Sequence, residues 1–285
     1  MISVIIPTFN RQRSLSQVLP FYLAQEHVEQ VIVVDDGSDP PVDERQLPQD
    51  QRIEVLHVNH RGPEFARNLG LTHSHNELLF LGEDDAYPAR GLLTYLVSQI
   101  KRSGVDAIGC RAVYLPHSHN WPQAHDDPIN CDAETLFNVN RLELRVTAVR
   151  PSASAVPFTT AWALVKKSSL GKHIRFDESL QGNYFRDETD FWLALGAAGG
   201  NIVYDSHAVM FHIPRQGGGC HTMPVPTYEF WALWNTYRVL KKHQNYLKTR
   251  WQYNGNALLD AFSYEFKRVS SAVQRRLLGR NTDAI

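Results

Sequence analysis

The sequence has few cysteines and no long apolar segment. Its three cysteines, Cys110, Cys131 and Cys220, are widely spaced and form no C-x-x-C motif, which argues against a disulfide framework or a structural zinc site. No apolar run approaches the roughly 20 residues that cross a bilayer. The first predicted strand starts at residue 2, where a signal peptide would otherwise lie. These absences predict a cytoplasmic protein, associated if at all with the inner face of a membrane.

The sequence also lacks a charge bias and a glycine-rich phosphate loop. The net charge is −1, with 43% hydrophobic and 21% charged residues, so nothing indicates binding to nucleic acid. The first predicted strand is followed by PTFNRQRS, which contains no glycine. The missing G-x-G-x-x-G motif disfavours a dinucleotide-dependent oxidoreductase. A sugar-phosphate nucleotidyltransferase remains an alternative, although it would need a glycine-rich loop with a basic residue.

Residues 1–115 alternate between β-type and α-type apolar patterns. Continuous β-branched runs predict strands buried on both faces, and apolar residues at helical spacing predict helices between them. The predicted strands are Ile2–Ile6, Val31–Val34, Ile53–Val58, Leu78–Leu81 and Asp106–Tyr114. The predicted helices cover Leu15–Leu23, with Ser14 as N-cap, Glu64–Leu71 and Leu92–Ile100. This order is typical of a Rossmann-like α/β fold, with a mostly parallel sheet and helices on both faces.

The second part of the chain is less regular. Residues 116–158 are rich in Pro, His and Asp and predict a long excursion or lid. The elements predicted beyond it are a strand Thr159–Val165, a helix Thr189–Gly199, strands Asn201–Tyr204 and Ala208–Ile213, and a mobile loop Pro214–Pro226. We therefore expect a catalytic domain of residues 1–226, followed by a C-terminal helical region of residues 227–285.

Polar residues follow the first two predicted strands. In an open α/β sheet, ligands bind beyond the carboxyl ends of the strands, so the PTFN and DDGS segments should meet at one crevice. Asp36 could accept a hydrogen bond from a nucleobase or a ribose, and Phe9 could stack on the base. The alternatives are ordinary turn chemistry for Asp-Gly-Ser and core packing for Phe9.

A cluster of three acids, Glu83, Asp84 and Asp85, directly follows the predicted strand LLFL. Like charges this close repel one another unless a cation or solvent intervenes. A divalent cation that also holds phosphate oxygens would resolve the repulsion. The alternative is a solvated acidic turn.

A second acidic cluster and a histidine lie far downstream. In FRDETDFW, Glu188 is a candidate general base, whereas Asp187 and Asp190 could simply favour the dipole of a helix N-terminus. His212 ends an apolar strand and could complete a metal site, or it could be structural. His117, His119 and His125 lack helical metal-ligand spacing.

These motifs, in this order, resemble the inverting family 2 glycosyltransferases of the GT-A fold over roughly residues 1–215. VIIPTFNR and VVDDGS resemble the two nucleotide-contacting strand ends, and GPEFARNLG is similar to the family's G…ARN.G helix. LFLGEDDAYP lies where the family has its D-x-D metal motif, RDETD where it has its catalytic base, and YDSHAVMFHI resembles its closing strand.

The resemblance implies a role for individual residues. It implies Glu188 as the base, where the family commonly has Asp. The implied nucleotide contacts are Pro7, Phe9, Asn10, Arg11, Asp36, Arg67 and Asp84. The implied metal ligands are Glu83, Asp84, Asp85 and His212. Because Gly82 or Glu83 replaces the usual first Asp of D-x-D, either Asp84 or Asp85 could ligate the cation, Mn²⁺ or Mg²⁺.

The sequence therefore predicts an enzyme that transfers a sugar from a nucleoside-diphosphate sugar to a saccharide or lipid-linked acceptor, with inversion. A role in the synthesis of surface polysaccharides or glycoconjugates is expected, because YEFWALWNTYRVLKKH resembles the C-terminal helix of bacterial surface-polysaccharide transferases. A non-catalytic nucleotide-binding module remains an alternative.

The C-terminal helices carry both an apolar stripe and a positive charge. The stripe consists of Phe262, Phe266, Val269, Val273 and Leu277, which recur at helical spacing. From residue 221 onward there are ten Lys/Arg and four Asp/Glu. The stripe could pack on the catalytic domain or on a second copy in a homodimer, or it could make a peripheral membrane contact.

Overall fold

The computed structural model describes residues 1–115, 129–130, 133–214, 217–219 and 223–277. The alternation predicted for the first 115 residues is confirmed. Its elements are β1 (Ile2–Thr8), α1 (Gln12–Leu23), β2 (Val28–Asp36), a short 3-10 helix (Glu44–Gln46), β3 (Ile53–Val58), α2 (Pro63–His73), β4 (Leu78–Leu81), β5 (Ala86–Pro88), α3 (Leu92–Ser103) and β6 (Ala107–Tyr114).

Short elements fill the middle of the chain and longer ones follow. The short elements are β7 (Ile129–Asn130), α4 (Ala133–Leu136), β8 (Phe137–Asn138), β9 (Glu143–Leu144), β10 (Ala148–Val149) and β11 (Ser154–Ala155). The later elements are β12 (Ala163–Lys166), α5 (Lys167–Leu170), α6 (Asp187–Ala197), β13 (Ile202–His212), α7 (Val225–Trp251) and α8 (Ala257–Leu277).

A nine-stranded sheet organises the molecule, in the order β11-β13-β6-β12-β4-β1-β2-β3, with β5 paired to β13. Strands β4, β1, β2 and β3 are parallel to one another, as expected for βαβ units. Strand β12 is inserted antiparallel between β4 and β6. The parallel strands bring the ends of β1, β2 and β4 to one edge of the sheet, where the predicted site residues begin.

The core lies between the sheet and the helices packed on it. The β-branched runs of β1 and β2 are fully buried, which is why they read as continuous apolar segments. In α1, Leu15, Val18, Leu19 and Tyr22 form the buried face. The predicted cap was wrong: α1 begins after Arg11, and the Ser14 hydroxyl donates to the Arg11 carbonyl from inside the first turn.

Two predicted strand boundaries were wrong. The strand predicted at Thr159–Val165 is confined to β12, because the chain before it turns toward α6, where the Ala161 N–H donates to Glu188. The two strands predicted at 201–204 and 208–213 form the single strand β13, which has an irregular register between Asp205 and Val209. The polar residues there mark a bulge in the strand rather than a break.

Some predictions fall where the chain is not described. The histidines His117, His119 and His125 and the cysteines Cys131 and Cys220 lie outside the described residues, as do residues 215–216 and 220–222 of the predicted loop. Of the predicted excursion, residues 133–158 are described and contain the short elements from α4 to β11.

The helical C-terminal region is confirmed, and the described side chains of its apolar stripe are largely exposed. Phe262, Phe266 and Val269 are 53%, 77% and 40% exposed. Helix α7 instead holds α6 through Asp190, which accepts from Lys242 and His243, both at 2.8 Å. Within the described ranges, no helix combines the length and hydrophobicity that a membrane span requires.

Candidate active site

A cavity of about 600 Å³ opens at the ends of β1, β2 and β4. The predicted site residues that line it are Pro7, Phe9, Arg11, Asp36, Arg67, Glu83, Asp84, Asp85, Glu188 and His212. Asn10 lies beside the cavity in a left-handed conformation, and its side-chain oxygen accepts from the Asp39 N–H at 2.7 Å. The structure therefore brings nearly all the predicted residues together, and gives Asn10 a role in joining the ends of β1 and β2.

The two acids at the end of β2 have different partners. Asp35 accepts from the N–H groups of Ser38 and Val42. Burial opposes ionisation of Asp35, but these bonds and one to His57 lower its pKa. Asp36 accepts from the N–H groups of Arg61 and Gly62 at 2.8 and 2.9 Å, and burial raises its pKa. Asp35 fixes the turn, whereas Asp36 lines the cavity and also holds the loop before α2.

Phe9 is stacked on His60, a residue that the sequence did not single out. The ring centroids are 4.3 Å apart, and His60 Nδ1 lies 2.8 Å from Asp36 Oδ2. One face of Phe9 is therefore covered by an imidazole that also contacts Asp36. A lone histidine in a loop carries no spacing signal that could have revealed this contact.

The three acids after β4 point to different partners. Asp84 accepts from Thr8 Oγ1 at 2.7 Å and from Arg11 at 2.9 Å, and Arg11 also contacts Asp85. Burial raises the pKa of Asp84 to about 6. Burial alone would lower the pKa of Arg11, but the two aspartates raise it. Arg11 therefore offsets the repulsion between these acids.

Glu83 contacts other side chains than Asp84 and Asp85 do. Its carboxylate accepts from Trp162 Nε1 at 2.6 Å and lies 3.5 Å from Arg67. Burial and the neighbouring carboxylates, Glu188 above all, raise the pKa of Glu83 well above its ordinary range. A divalent cation bound beside Glu83 would stabilise its ionised carboxylate and so offset the rise in its pKa.

Glu83, Asp85 and His212 together fit a divalent cation. Their ligand atoms all lie within 4.8 Å of one another, and His212 Nε2 is 3.6 Å from Asp85 Oδ1. Carboxylate oxygens with one imidazole suit Mn²⁺, and the oxygens suit Mg²⁺. Asp84, which also was predicted as a ligand, is not part of this group, and its carboxylate accepts from Thr8 and Arg11.

Arg67 connects the two acidic clusters. It donates to Glu188 Oε1 at 3.1 Å, forms a short contact with Asp187, and lies near Glu83. The Ala161 N–H fixes the other Glu188 oxygen at 3.0 Å. Burial raises the pKa of Glu188 to about 7, although Arg67 opposes the shift. Glu188 is thus oriented and partly ionised near neutral pH, as a general base requires.

The glycine-rich segment after β13 lies on the turn after β1. The Gly219 N–H donates to the Phe9 carbonyl at 3.1 Å, and Arg11 Nε donates to the Gly217 carbonyl at 3.2 Å. A Cβ at Gly218 would come within 2.5 Å of the Asn10 carbonyl oxygen, so this close approach requires glycine.

Comparison with known sequences gives one family and several partial matches. A model of the family described as "Glycosyl transferase family 2" matches residues 3–208. An uncharacterised glycosyltransferase of Rickettsia bellii is 38% identical over 90 residues, which cover 30% of this chain and 13% of that protein. The glycosyltransferase GlyG of Streptococcus pneumoniae is 26% identical over 113 residues, 38% of each chain. The matches thus span well under half of these relatives.

Comparison with solved structures supports the fold. S. aureus TarS, residues 1–349, superposes with a TM-score of 0.57 in its complex with UDP and 0.58 in its complex with UDP-GlcNAc. Both are 16% identical to this chain; the matches cover 95% of it and 82% and 83% of TarS 1–349. At this identity the likeness concerns the architecture alone, and it agrees with the predicted GT-A fold.

Proposed function

The chain belongs to glycosyl transferase family 2, and we propose that it transfers a sugar from a nucleoside-diphosphate sugar to an acceptor hydroxyl with inversion at the anomeric carbon. One observation carries this proposal. A single cavity holds a candidate cation site, Glu83, Asp85 and His212, and a candidate base, Glu188, with Arg67 between them.

The nucleotide is proposed to lie across the ends of β1 and β2. Asp36 retains acceptor capacity after its two backbone bonds and its contact with His60, because a carboxylate accepts about four hydrogen bonds. Phe9 supplies an aromatic face. The remaining proposed contacts, directly or through their neighbours, are Pro7, Asn10, Arg11, Arg67 and Asp84. The TarS complexes hold UDP and UDP-GlcNAc, so uridine nucleotides are the first ligands to test.

The leaving diphosphate is proposed to lie at the Glu83, Asp85 and His212 cluster. A divalent cation held there, Mn²⁺ or Mg²⁺, would offset the charge that develops on the departing phosphate. Arg11 stays protonated beside the same acids. The Trp162 indole fixes Glu83 in place.

Glu188 is proposed to remove the proton from the acceptor hydroxyl. Its two oxygens are oriented by Arg67 and the Ala161 N–H, and its pKa of about 7 lets it accept a proton near neutral pH. Attack from the face opposite the diphosphate inverts the anomeric centre. Exclusion of water from the cavity would suppress hydrolysis of the donor.

We also propose a place for the reaction. Residues 1–226 would form the catalytic domain of an enzyme of surface-polysaccharide or glycoconjugate synthesis at the cytoplasmic face of a membrane. The exposed side chains of Phe262, Phe266 and Val269 on α8 would contact anionic lipid near a lipid-linked acceptor, helped by the ten Lys/Arg against four Asp/Glu from residue 221 onward. A second, equally basic copy is less favourable because like charges repel.

A thermal-shift screen tests the donor and cation proposals together. UDP, GDP, dTDP and CMP are added with and without Mn²⁺, and a ligand that binds only the native state raises the melting temperature. We expect one of the nucleoside diphosphates to raise the melting temperature, and to raise it further when Mn²⁺ is present. Asp85→Asn should remove the Mn²⁺-dependent part of the shift, whereas Asp50→Asn, at a surface pair with Arg52, should not. If no nucleotide shifts the wild-type protein, the proposal is wrong.

A further inference from the structure

Three arginines line the cavity, and one of them differs from the other two. Arg11 contacts Asp84 and Asp85, and Arg67 contacts Asp187 and Glu188. Arg186 also lines the cavity, but no carboxylate of the described chain lies within ion-pairing distance of it. Of these three arginines, Arg186 is the one whose charge has no directly paired carboxylate among the residues that the structure describes.

Neutral groups hold Arg186 in place. Its terminal nitrogens donate to the carbonyls of Leu142 at 2.5 Å and Arg141 at 3.0 Å, and Nε donates to Thr236 Oγ1 at 3.3 Å. These bonds use three of its five N–H groups and leave one on each terminal nitrogen. The carbonyls orient the guanidinium without cancelling its charge.

The nearest acids are already engaged. Glu143 accepts from Lys267 at 3.1 Å, and Glu265 accepts from Arg268 at 2.8 Å. The guanidinium of Arg186 lies between two aromatic rings, 4.6 Å from the centre of Phe185 and 4.4 Å from that of Tyr264. These cation–π contacts offset part of the cost of burying the charge, but burial still lowers the pKa of Arg186, so pairing with an anion from a ligand would be favourable.

The surroundings of Arg186 suit a saccharide. The cavity that Arg186 lines is also lined by Leu142, Leu144, Tyr184, Phe185 and Tyr228. Tyrosine combines an apolar ring with a polar hydroxyl. Arg186 precedes Glu188 by two residues, so its backbone lies at most about 7 Å from that of the proposed base. A group held here would sit on the same molecule as the hydroxyl that faces Glu188.

We infer that Arg186 binds an anionic group, a phosphate or a carboxylate, on the acceptor saccharide. This inference rests on the proposed function and makes it more specific. Bidentate contact with two parallel N–H groups is the geometry in which guanidinium binds such anions. The competing explanation is that Arg186 only ties the 141–142 loop to α7, in which case the cavity has no preference for anions.

Calorimetry with small sugars separates the two explanations. The protein is saturated with Mn²⁺ and the nucleotide found in the screen, so that the diphosphate site is blocked, and is then titrated with glucose 6-phosphate, glucuronate and glucose. We expect at least one of the two anionic sugars to bind about tenfold more tightly than glucose at low salt, as a charged hydrogen-bonded pair would give. The stronger of the two identifies the anion as phosphate or carboxylate.

Substitution assigns the preference to Arg186. Arg186→Gln should reduce the preference for the anionic sugar over glucose to under twofold. It should leave glucose binding and nucleotide binding unchanged. Arg186→Lys, which keeps the charge, should retain part of the preference, and Lys241→Gln, at an exposed cation outside the cavity, should retain all of it. If Arg186→Gln does not fold, the two explanations are separated by the anionic-sugar preference of Arg186→Lys and by the salt dependence of that preference in the wild type.

The outcomes are distinguishable from a failure of the proposed function. A protein that binds no nucleotide overturns the proposed function. A protein that binds nucleotide but shows no preference for either anionic sugar, or keeps the preference in both Arg186 variants, overturns the inference about Arg186 alone.

Discussion

In one part of the cavity, Arg11 and Arg67 each contact two carboxylates, whereas the Arg186 guanidinium, among the described residues, donates to carbonyl and hydroxyl oxygens and lies against aromatic rings. The first part contains the acids of the β4 tip, which suit a cation and a diphosphate. The second contains aromatic rings and the positive charge of Arg186. Under the proposed function, the first part would offer negative charge to a metal at the donor end, and the second would offer positive charge to a substrate at the acceptor end.

The two ends also differ in how they are built. The donor end consists of residues that directly follow β1, β2 and β4, so the sheet fixes their positions. The acceptor end combines the 142–146 segment, the residues before α6 and the start of α7. These segments meet through single side chains such as Arg186 and Thr236. Substitutions at the acceptor end should therefore change donor binding little, and substitutions at the donor end should change acceptor binding little.

Glu188 lies where the two ends meet, and its substitution should have the largest effect. Glu188→Gln keeps the size and polarity of the side chain but cannot accept a proton. We expect kcat to fall by about 10²–10⁴-fold while donor affinity changes little, measured by steady-state kinetics and calorimetry. Asp187→Asn is the matched comparison, since it removes a neighbouring carboxylate that Arg67 also contacts and leaves Glu188 in place. A near-normal kcat in Glu188→Gln would place the base elsewhere.

Substitution of Asp36 tests nucleotide binding at the donor end separately from binding at the acceptor end. Asp36→Ala should weaken nucleotide binding by about 1–3 kcal/mol, the value of a buried hydrogen bond to a charged group, without changing the preference for anionic sugars. Calorimetry measures both, and the melting temperature records the loss of the bonds to Arg61 and Gly62. Unchanged nucleotide affinity would remove Asp36 from the site.

The pKa of Glu188 predicts the pH dependence of the reaction. Burial raises this pKa to about 7, and only the ionised form can act as a base. Below pH 7, kcat/KM should therefore fall about tenfold per unit, and above it should level off. The pH profile of kcat/KM is measured at saturating Mn²⁺. In Glu188→Gln, the fall of kcat/KM below pH 7 should be absent. A flat wild-type profile from pH 5.5 to 8 would contradict the assignment.

The smallest effect is expected from the C-terminal surface. Basic residues near anionic lipid contribute about 1 kcal/mol each, and salt screens them. We expect co-sedimentation with anionic but not neutral vesicles, reversed by salt and lost in a Phe262→Ser, Phe266→Ser double variant, whose exposed side chains matter little for stability. A dimer in light scattering that the same variant disrupts would support the homodimer instead.

The contrast between the two ends also explains what the sequence could predict. Residues that follow a buried strand have positions set by the strand, so Phe9, Asp36 and Glu83–Asp85 could be placed in one crevice without a structure. The sheet order could not be derived in the same way. The antiparallel insertion of β12 and the single β13 depend on long-range pairing that local periodicity does not contain.

Side-chain partners could not be predicted even where positions could. Arg11 was expected to contact nucleotide, and the structure pairs it with two acids of β4. Asp190 was grouped with Asp187 and Glu188, yet it turns toward His243 of α7. Trp162 and His60 belong to no motif, and Arg186 lies within RDETD without being singled out, because the contacts of all three arise only when distant segments meet.

The anomeric configuration of the released sugar tests the central claim most directly. The purified enzyme is given Mn²⁺ and an α-linked nucleoside-diphosphate sugar, and donor hydrolysis is followed by ¹H NMR before the free sugar equilibrates. A single displacement with Glu188 as base predicts that the β-anomer appears first, and that Glu188→Gln slows its appearance. Release of the α-anomer first would contradict the proposed mechanism.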